Sequence, residues 1–279
     1  MLTISENLYL THSFSAGEGK TKGMAKGFTL CHQNDVFAGE CAGFGIPVIK
    51  ADNLTIFPSL FSSHVFKPGT VETVYHMNLI NTWQIMGAEA PPYFRGFMEQ
   101  LVRFYMNRPD FQRSGLKIRN SLLKILRIQS TMKPDKSYGY CRVLYQTEDL
   151  QLKINVKGKA LLHLGELILL NEVPGIGFSR LINRTESGWN IRDGNDFLPW
   201  QTCTIETAVE NPCLHIGFFL SVPDKPDSRS IQIAAGREVG RALNWAGLSI
   251  TAEQAVFTYH VNFYGRKNDW FGAMPIPYG

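Results

Sequence analysis

Short segments of β-branched and aromatic residues recur along the chain, and this recurrence constrains the fold more than any other feature. Before residue 90, between turns of Gly, Pro, Asn and Asp, such segments cover 8–14, 28–32, 44–49, 54–61 and 71–79. After Pro134 they cover 138–145, 150–156, 160–170, 177–182, 201–208, 213–222, 230–234 and 255–264. Without regular alternation of strand and helix, this pattern predicts a mainly β fold, a large antiparallel two-sheet sandwich. We expect a single domain over residues 1–279.

One segment in the middle of the chain follows a helical period instead. Between residues 91 and 106 the apolar side chains fall on one stripe of a helix, with prolines before and after the segment. The pattern predicts a helical insert at 91–106 inside a basic, partly helical segment at 91–136. Two other segments leave alternatives open: 116–128 fits helix and strand almost equally, and 236–245 fits a short helix or an irregular connection.

So many strands in a chain of 279 residues, without a clear linker, resemble the supersandwich of galactose mutarotase-like proteins. The resemblance concerns architecture only, because no motif of that family can be placed residue by residue. It therefore implies a fold and assigns no catalytic residue.

The cysteines and the apolar runs predict the compartment. The five cysteines are odd in number, widely spaced and never arranged as CxxC, which argues against a disulfide framework or a zinc knuckle. The first residues lack the basic and apolar regions of a secretory signal, and no run reaches the roughly 18 apolar residues of a membrane helix. We expect a cytoplasmic protein with reduced thiols and no membrane segment.

Positive charge is concentrated in one part of the chain. Residues 95–136 contain ten Lys or Arg against three acids, a net charge of +7, whereas the whole chain carries +4. Such a segment steers an anionic ligand or forms a solvated basic face without one. Nucleic acid is not favoured, because no helix-turn-helix, zinc finger or RNP-like motif accompanies the charge.

Two histidines are candidates for proton transfer. The seven histidines show none of the HxH, HxxxH or HExxH spacings of a metal site, so we predict no metal and no cofactor. His76 and His260 lie on the polar faces of alternating strands, where an imidazole with a near-neutral pKa acts as an acid or a base. The alternative is a structural or surface role for both.

Glu166 is the third predicted catalytic residue. It interrupts the apolar run 161–170, and a carboxylate in such a strand is either exposed at an edge or buried with a raised pKa. A buried position makes it a candidate general acid.

Aromatic and polar side chains supply the predicted ligand site. Five tryptophans provide flat surfaces on which sugar rings stack, although tryptophan is also ordinary core material. We predict that Trp200, Arg180 and Asn262 bind the ligand, Asn262 from the same polar strand face as His260.

These observations favour a protein that binds or processes a carbohydrate, including an anionic one, in a cleft on a concave sheet. Small molecules and oligosaccharides are the expected ligands, and the sequence leaves open whether catalysis occurs. The alternative is a non-catalytic interaction or ligand-binding protein, with the 91–106 helix as a docking or homodimer element. A closed barrel around an apolar ligand is a third interpretation.

Overall fold

The computed structural model describes the chain except for residues 5–6, 13–22, 34, 38–40, 52–53, 87, 92–128, 159–160, 186–187, 195–197, 224–231, 240–243, 253 and 266–279. The described residues form twenty β-strands and no helix. The predicted helix at 91–106, the segment 116–128 and most of the basic segment lie outside the described residues. The prediction of a mainly β protein is confirmed.

The strands of the first half are β1 (Leu2–Thr3), β2 (Leu8–His12), β3 (Phe28–His32), β4 (Asp35–Val36), β5 (Phe44–Lys50), β6 (Thr55–Lys67), β7 (Thr70–Ile85), β8 (Ala88–Glu89) and β9 (Gln129–Pro134). Those of the second half are β10 (Tyr140–Glu148), β11 (Gln151–Lys157), β12 (Glu166–Val173), β13 (Arg180–Thr185), β14 (Gly188–Arg192), β15 (Leu198–Cys203), β16 (Ala208–Asn211), β17 (Ile216–Ser221), β18 (Ile233–Val239), β19 (Asn244–Ala252) and β20 (Val256–Tyr264).

All of these strands belong to one connected antiparallel sheet with two runs of neighbours. Run A has the order β6–β7–β10–β11–β20–β17–β16–β13–β14. Run B has the order β1–β2–β3–β5–β12–β19–β18–β15. The short β5–β6 hairpin joins the two runs. The large antiparallel sheet expected from the sequence is therefore present.

Alternating burial defines an inner and an outer face of each run. On β7 the side chains of Thr73, Tyr75 and Met77 are buried, while Val74 and His76 between them are only half-buried. This is the period of two that a strand imposes, and it follows the apolar pattern of the sequence. The inner faces carry the core, and the outer faces carry most of the polar side chains.

Aromatic side chains of the two runs meet at the inner faces. The ring of Phe44 on β5 lies 5.1 Å from Phe218 on β17 and 5.3 Å from Phe263 on β20, centroid to centroid, in edge-to-face geometry. All three side chains are buried. Burying an aromatic side chain of this size stabilises a fold by about 1.5–3 kcal/mol. The core therefore links run A to run B.

Buried tyrosines add hydrogen bonds between the runs. The hydroxyl groups of Tyr75 and Tyr145 are 2.8 Å apart, and Tyr145 donates to the carbonyl of Gly45 on β5. Tyr259 on β20 donates to Oδ1 of Asn171 on β12 over 3.0 Å. Because buried hydroxyls cost free energy when they lack a partner, these bonds make the packing of the two runs specific.

Several strand boundaries differ from the sequence-based expectation. The predicted strand at 160–170 begins only at Glu166, because residues 161–165 form a turn. The predicted strand at 201–208 is interrupted, because the amide of Thr207 donates to the carbonyl of Thr204 and closes a turn between β15 and β16. Of the segment 236–245, residues 236–239 belong to β18 and residues 244–245 to β19, and the residues between them lie outside the described part of the chain.

The part of the chain that the structure describes contains no helix of the length and apolarity needed to cross a membrane.

Candidate functional site

The first predicted catalytic residue, His76, is held by two neighbours on the outer face of run A. Its Nε2 atom lies 2.7 Å from the hydroxyl oxygen of Ser137, and its ring stacks on Tyr140 with centroids 4.8 Å apart. Tyr140 itself is largely exposed. These contacts orient the imidazole at the surface, and its predicted catalytic role stays a prediction.

The strand register shows how far His260 lies from His76. His260 on β20 is opposite Lys153 on β11, Lys153 is opposite Gln146 on β10, and Gln146 is opposite Thr70 on β7. Three interstrand steps span roughly 14 Å, and the six residues from Thr70 to His76 add roughly 20 Å along β7. The two histidines therefore do not share one site.

The polar face of β20 is joined to its neighbours by side-chain amides. Nε2 of Gln151 donates to Oδ1 of Asn262 over 2.8 Å, and Nδ2 of Asn262 donates to the hydroxyl of Ser221 over 2.8 Å. Asn262 is buried. The predicted ligand-binding residue Asn262 thus connects β11, β20 and β17.

Arg180, also predicted to bind a ligand, is engaged by two acids. Its Nε and Nη2 atoms donate to the two carboxylate oxygens of Asp193 over 2.7 and 3.1 Å, and Nη1 donates to Glu210 over 3.2 Å. The carboxylate of Glu210 is fully buried and also accepts the hydroxyl of Tyr264. The guanidinium of Arg180 is therefore already paired with two acids of the protein.

Glu166 and a second glutamate lie on the same face of β12. Glu166 is the exposed first residue of the strand, opposite Lys50 on β5. Six residues further on, Glu172 is only 8% exposed. The reasoning applied to Glu166, a carboxylate within an apolar strand, therefore describes Glu172, which the sequence analysis missed.

The carboxyl group of Glu172 is held in an apolar environment. Its Oε2 atom accepts a hydrogen bond from the amide of Ala42 over 2.6 Å. No Lys or Arg among the described residues forms an ion pair with it. Burial raises the pKa of Glu172 to about 7, against the smaller opposing effect of the Ala42 amide. The group therefore exchanges a proton near neutral pH.

Glu172 opens into a cavity of about 120 Å³, which we call the acid cleft. Its polar lining residues are Lys26, Cys41 and Glu172, and its aromatic ones are Phe57 and Trp245. The remaining lining residues are apolar: Met24, Ala25, Ala42, Met132 and Leu170. A mostly apolar cleft with a few convergent polar groups and a perturbed pKa has the general features of a binding or active site.

Cys41 in this cleft is an unreactive thiol. Burial, reinforced by the neighbouring carboxylate of Glu172, raises the pKa of Cys41 to about 12. Because the thiolate is the nucleophilic form of cysteine, Cys41 contributes shape and not reactivity. Glu172 is the proton-exchanging group of the acid cleft.

Two glycines lie in one row with Glu172 on the outer face of run B. Glu172 on β12 is opposite Gly247 on β19, and Gly247 is opposite Gly236 on β18. A Cβ atom on Gly236 would lie 2.9 Å from Cη2 of Trp245 and 3.1 Å from Cδ2 of Trp200. The absence of a side chain at Gly236 therefore lets both indole rings lie close to the sheet.

The two indoles form a stacked pair, here called the tryptophan pair. The rings of Trp200 and Trp245 are 4.8 Å apart, centroid to centroid, with an interplanar angle of 18°. Trp200 lies in an irregularity of the β15–β18 pairing between Leu198 and Gln201, and 38% of its surface is exposed. Bulges of this kind redirect side chains beside functional sites. The predicted ligand-binding residue Trp200 thus continues the wall that Trp245 forms in the acid cleft.

The long-range pairing of this site could not be seen in the sequence. Glu172, Gly236, Trp245 and Trp200 come from four strands, and only the sheet register makes them neighbours. The one local signal was the carboxylate within the apolar segment at the end of β12. Among the described residues no group of three or more His, Cys, Asp or Glu is arranged to hold a metal ion.

Comparison with known proteins gives no further assignment. No family model, no curated protein and no solved structure matches the chain. The functional argument therefore rests on the geometry of the site.

Proposed function

We propose that this protein binds a carbohydrate at the acid cleft and the tryptophan pair. The observation that carries the proposal concerns run B. There the buried carboxyl group of Glu172 shares a cleft with Trp245, and Trp245 stacks on the exposed Trp200. The apolar faces of sugar rings pack on indoles, and a carboxyl group bonds their hydroxyls. A sugar in the acid cleft would meet Glu172 and Trp245 together, with Trp200 stacked against Trp245.

The same geometry supports proton transfer as the chemistry of the site. A carboxyl group with a pKa near neutral both donates and accepts a proton at physiological pH, which is the requirement for general acid–base catalysis. Most glycoside hydrolases use two carboxyl groups, whereas Glu172 is the single acid among the described residues that line the cleft. We therefore propose proton transfer to or from a bound sugar and not hydrolysis.

This proposal replaces the histidines as proton carriers. His76 and His260 lie on the outer face of run A and are separated along and across its strands. Glu172 lies on run B in one cleft with Trp245, and Trp245 stacks on Trp200, which was itself predicted as a ligand-binding residue. Binding of a sugar without turnover would assign the alternative function, a non-catalytic ligand-binding protein.

We also propose that runs A and B are the two sheets of a sandwich of the galactose mutarotase-like kind. The contacts of Phe44 with Phe218 and Phe263, and the bond from Tyr259 to Asn171, support this arrangement. Its consequence is that the acid cleft lies on the outer face of one sheet, as the expected cleft on a concave sheet requires.

A ligand panel tests the proposed function. Intrinsic tryptophan fluorescence and thermal melting are followed with neutral hexoses, uronic acids and short oligosaccharides, in the wild type and in Trp200→Ala and Trp245→Ala. We expect at least one sugar to quench fluorescence and raise the melting temperature, and each variant to weaken its binding about tenfold or more, because the stacking surface is lost.

The control variant is Phe66→Ala, which removes an exposed aromatic side chain of the β6–β7 hairpin. It should bind the sugar as the wild type does. Sugar binding that survives loss of both indoles, or no response to any sugar at millimolar concentration, would contradict the proposal.

A further inference from the structure

A second cleft, of about 160 Å³, lies among strands β13, β14, β15 and β18. We call it the amide cleft, after its polar lining residues Asn183, Asn190, Arg192, Gln201, Thr202 and Thr207. Its lining within the described part of the chain includes no Asp and no Glu. The cleft thus offers hydrogen-bond donors and one guanidinium, and no negative charge.

Local hydrogen bonds determine which atoms of Asn183 remain available. The hydroxyls of Thr204 and Thr207 donate to its Oδ1 atom over 2.9 and 2.7 Å. Because the oxygen is already occupied, the Nδ2 group is left to donate to a ligand. Asn190 is directly opposite Asn183 on the neighbouring strand, so its amide lies at the same level of the cleft.

The cation of the amide cleft has no acidic partner among the described residues. Arg192 on β14 forms no ion pair with any residue that the structure describes, whereas Arg180 and Arg184 on the neighbouring strand β13 are both paired. Arg180 bonds Asp193 and Glu210, and Arg184 bonds Glu206 over 2.7 Å. No described acid therefore competes with an anionic ligand for the guanidinium of Arg192.

The described acids near this cleft, Asp193, Glu206 and Glu210, are each paired with an arginine. The guanidinium of Arg180 lowers the pKa of Asp193, with a smaller contribution from Arg237. Arg237 is itself buried and donates to the carbonyl of Ser179. The surroundings of Arg192 therefore do not repel an anion strongly.

From these observations we propose that the amide cleft binds the oxyanion group of a small polar ligand, a carboxylate, phosphate or sulfate. Arg192 supplies the charge, and the amides of Asn183, Asn190 and Gln201 supply donors for its oxygens. This inference is independent of the carbohydrate proposal, because the amide cleft shares no lining residue with the acid cleft.

Calorimetric titration with inorganic phosphate, sulfate and glucuronate, at low salt, tests the site. We expect at least one of the three to bind, with affinity that falls as salt is added, and Arg192→Gln to weaken binding about tenfold or more. Glucose, a neutral sugar, is included to show how much of any glucuronate binding comes from the sugar ring and not from the carboxylate. Anion binding that Arg192→Gln leaves unchanged, or no binding of any of the three anions at millimolar concentration, would overturn the assignment.

Two further variants separate a local effect from loss of the fold. Arg184→Gln is the matched control, because it removes a paired arginine of the neighbouring strand, and it should change affinity by less than about twofold. Asn183→Asp keeps an oxygen for both threonine hydroxyls and replaces the Nδ2 donor with a negative oxygen. It should melt as a folded protein and lose anion binding; unchanged affinity in Asn183→Asp would rule the site out.

Discussion

At the scale of single residues, the ionisation of Glu172 links the site to the stability of the protein. Its pKa is about 4.5 without the fold and about 7 within it. The folded state therefore holds a proton that the unfolded chain releases, and folding stability falls as pH rises from about 4.5 to about 7. Above pH 7 the full cost of the buried charge is present, on the order of 3 kcal/mol.

Glu172→Gln should remove this loss, because glutamine is neutral at every pH and still accepts the Ala42 amide. We expect the free energy of unfolding, measured with urea at pH 5 and pH 8, to fall less with pH in the variant than in the wild type. His12 contributes with the opposite sign, since burial lowers its pKa to about 4 and its contribution is lost as pH falls below 6.5. The wild-type and variant proteins share that contribution, so it cancels in the comparison.

Glu166→Gln is the matched control for this experiment, because Glu166 is an exposed glutamate on the same face of the same strand. Its pH profile should follow the wild type. Parallel profiles for wild type and Glu172→Gln would show that Glu172 ionises as freely in the folded protein as in the unfolded one.

The two glutamates also show what the sequence could and could not predict at this scale. The expected edge position is wrong for Glu166, because β12 pairs with strands on both sides and Glu166 is exposed at the start of the strand; the buried carboxylate of β12 is that of Glu172. The sequence does not reveal that a turn occupies 161–165, which makes Glu166 the start of the strand rather than its middle.

At the scale of strands, substitutions at two glycines of β18 and β19 should distinguish an effect on the site from an effect on the stability of the sheet. An added Cβ at Gly236 would approach the far end of the Trp245 ring at 2.9 Å, whereas one at Gly247 would lie 2.5 Å from the backbone carbonyl of Asn171. Side-chain ends move readily, and paired backbone does not.

Gly236→Ala should therefore displace the tryptophan pair and weaken sugar binding about tenfold, while lowering the free energy of unfolding by less than about 1 kcal/mol. Gly247→Ala should lower it by about 2 kcal/mol or more, because the backbone must shift. Urea unfolding and fluorescence titration of both variants make the comparison. If Gly236→Ala bound sugar like the wild type, Gly236 would not be needed to position the tryptophan pair.

Strand positions were predictable where alternation is strong, and strand neighbours were not. The period of two places buried and polar side chains correctly on β7, since it depends only on local sequence, whereas on β20 Asn262 and Tyr264 of the polar face are buried as well. The row of Glu172, Gly247 and Gly236 depends on pairings between distant segments, which a single sequence does not encode. The turn at 204–207 was missed because its threonine hydroxyls bond Asn183, more than twenty residues earlier.

At the scale of the whole molecule, the core joins two runs of strands, and residues of that core line both clefts. Composition was enough to predict a large core and a mainly β fold, because apolar residues recur at strand spacing along most of the chain. Which outer face carries the site could not be predicted, because His76, His260 and Glu172 all occur on strands with one half-exposed face. The register assigns the histidines to run A and Glu172 to run B.

The most direct test of this account is to observe the five tryptophan indole N–H signals by ¹H–¹⁵N NMR while sugar is added, with assignments from Trp200→Phe and Trp245→Phe. We predict that the signals of Trp200 and Trp245 shift together and saturate at one ligand concentration, while those of Trp83, Trp189 and Trp270 shift little. Saturable shifts of other indoles, with Trp200 and Trp245 unchanged, would contradict the assignment of the sugar site.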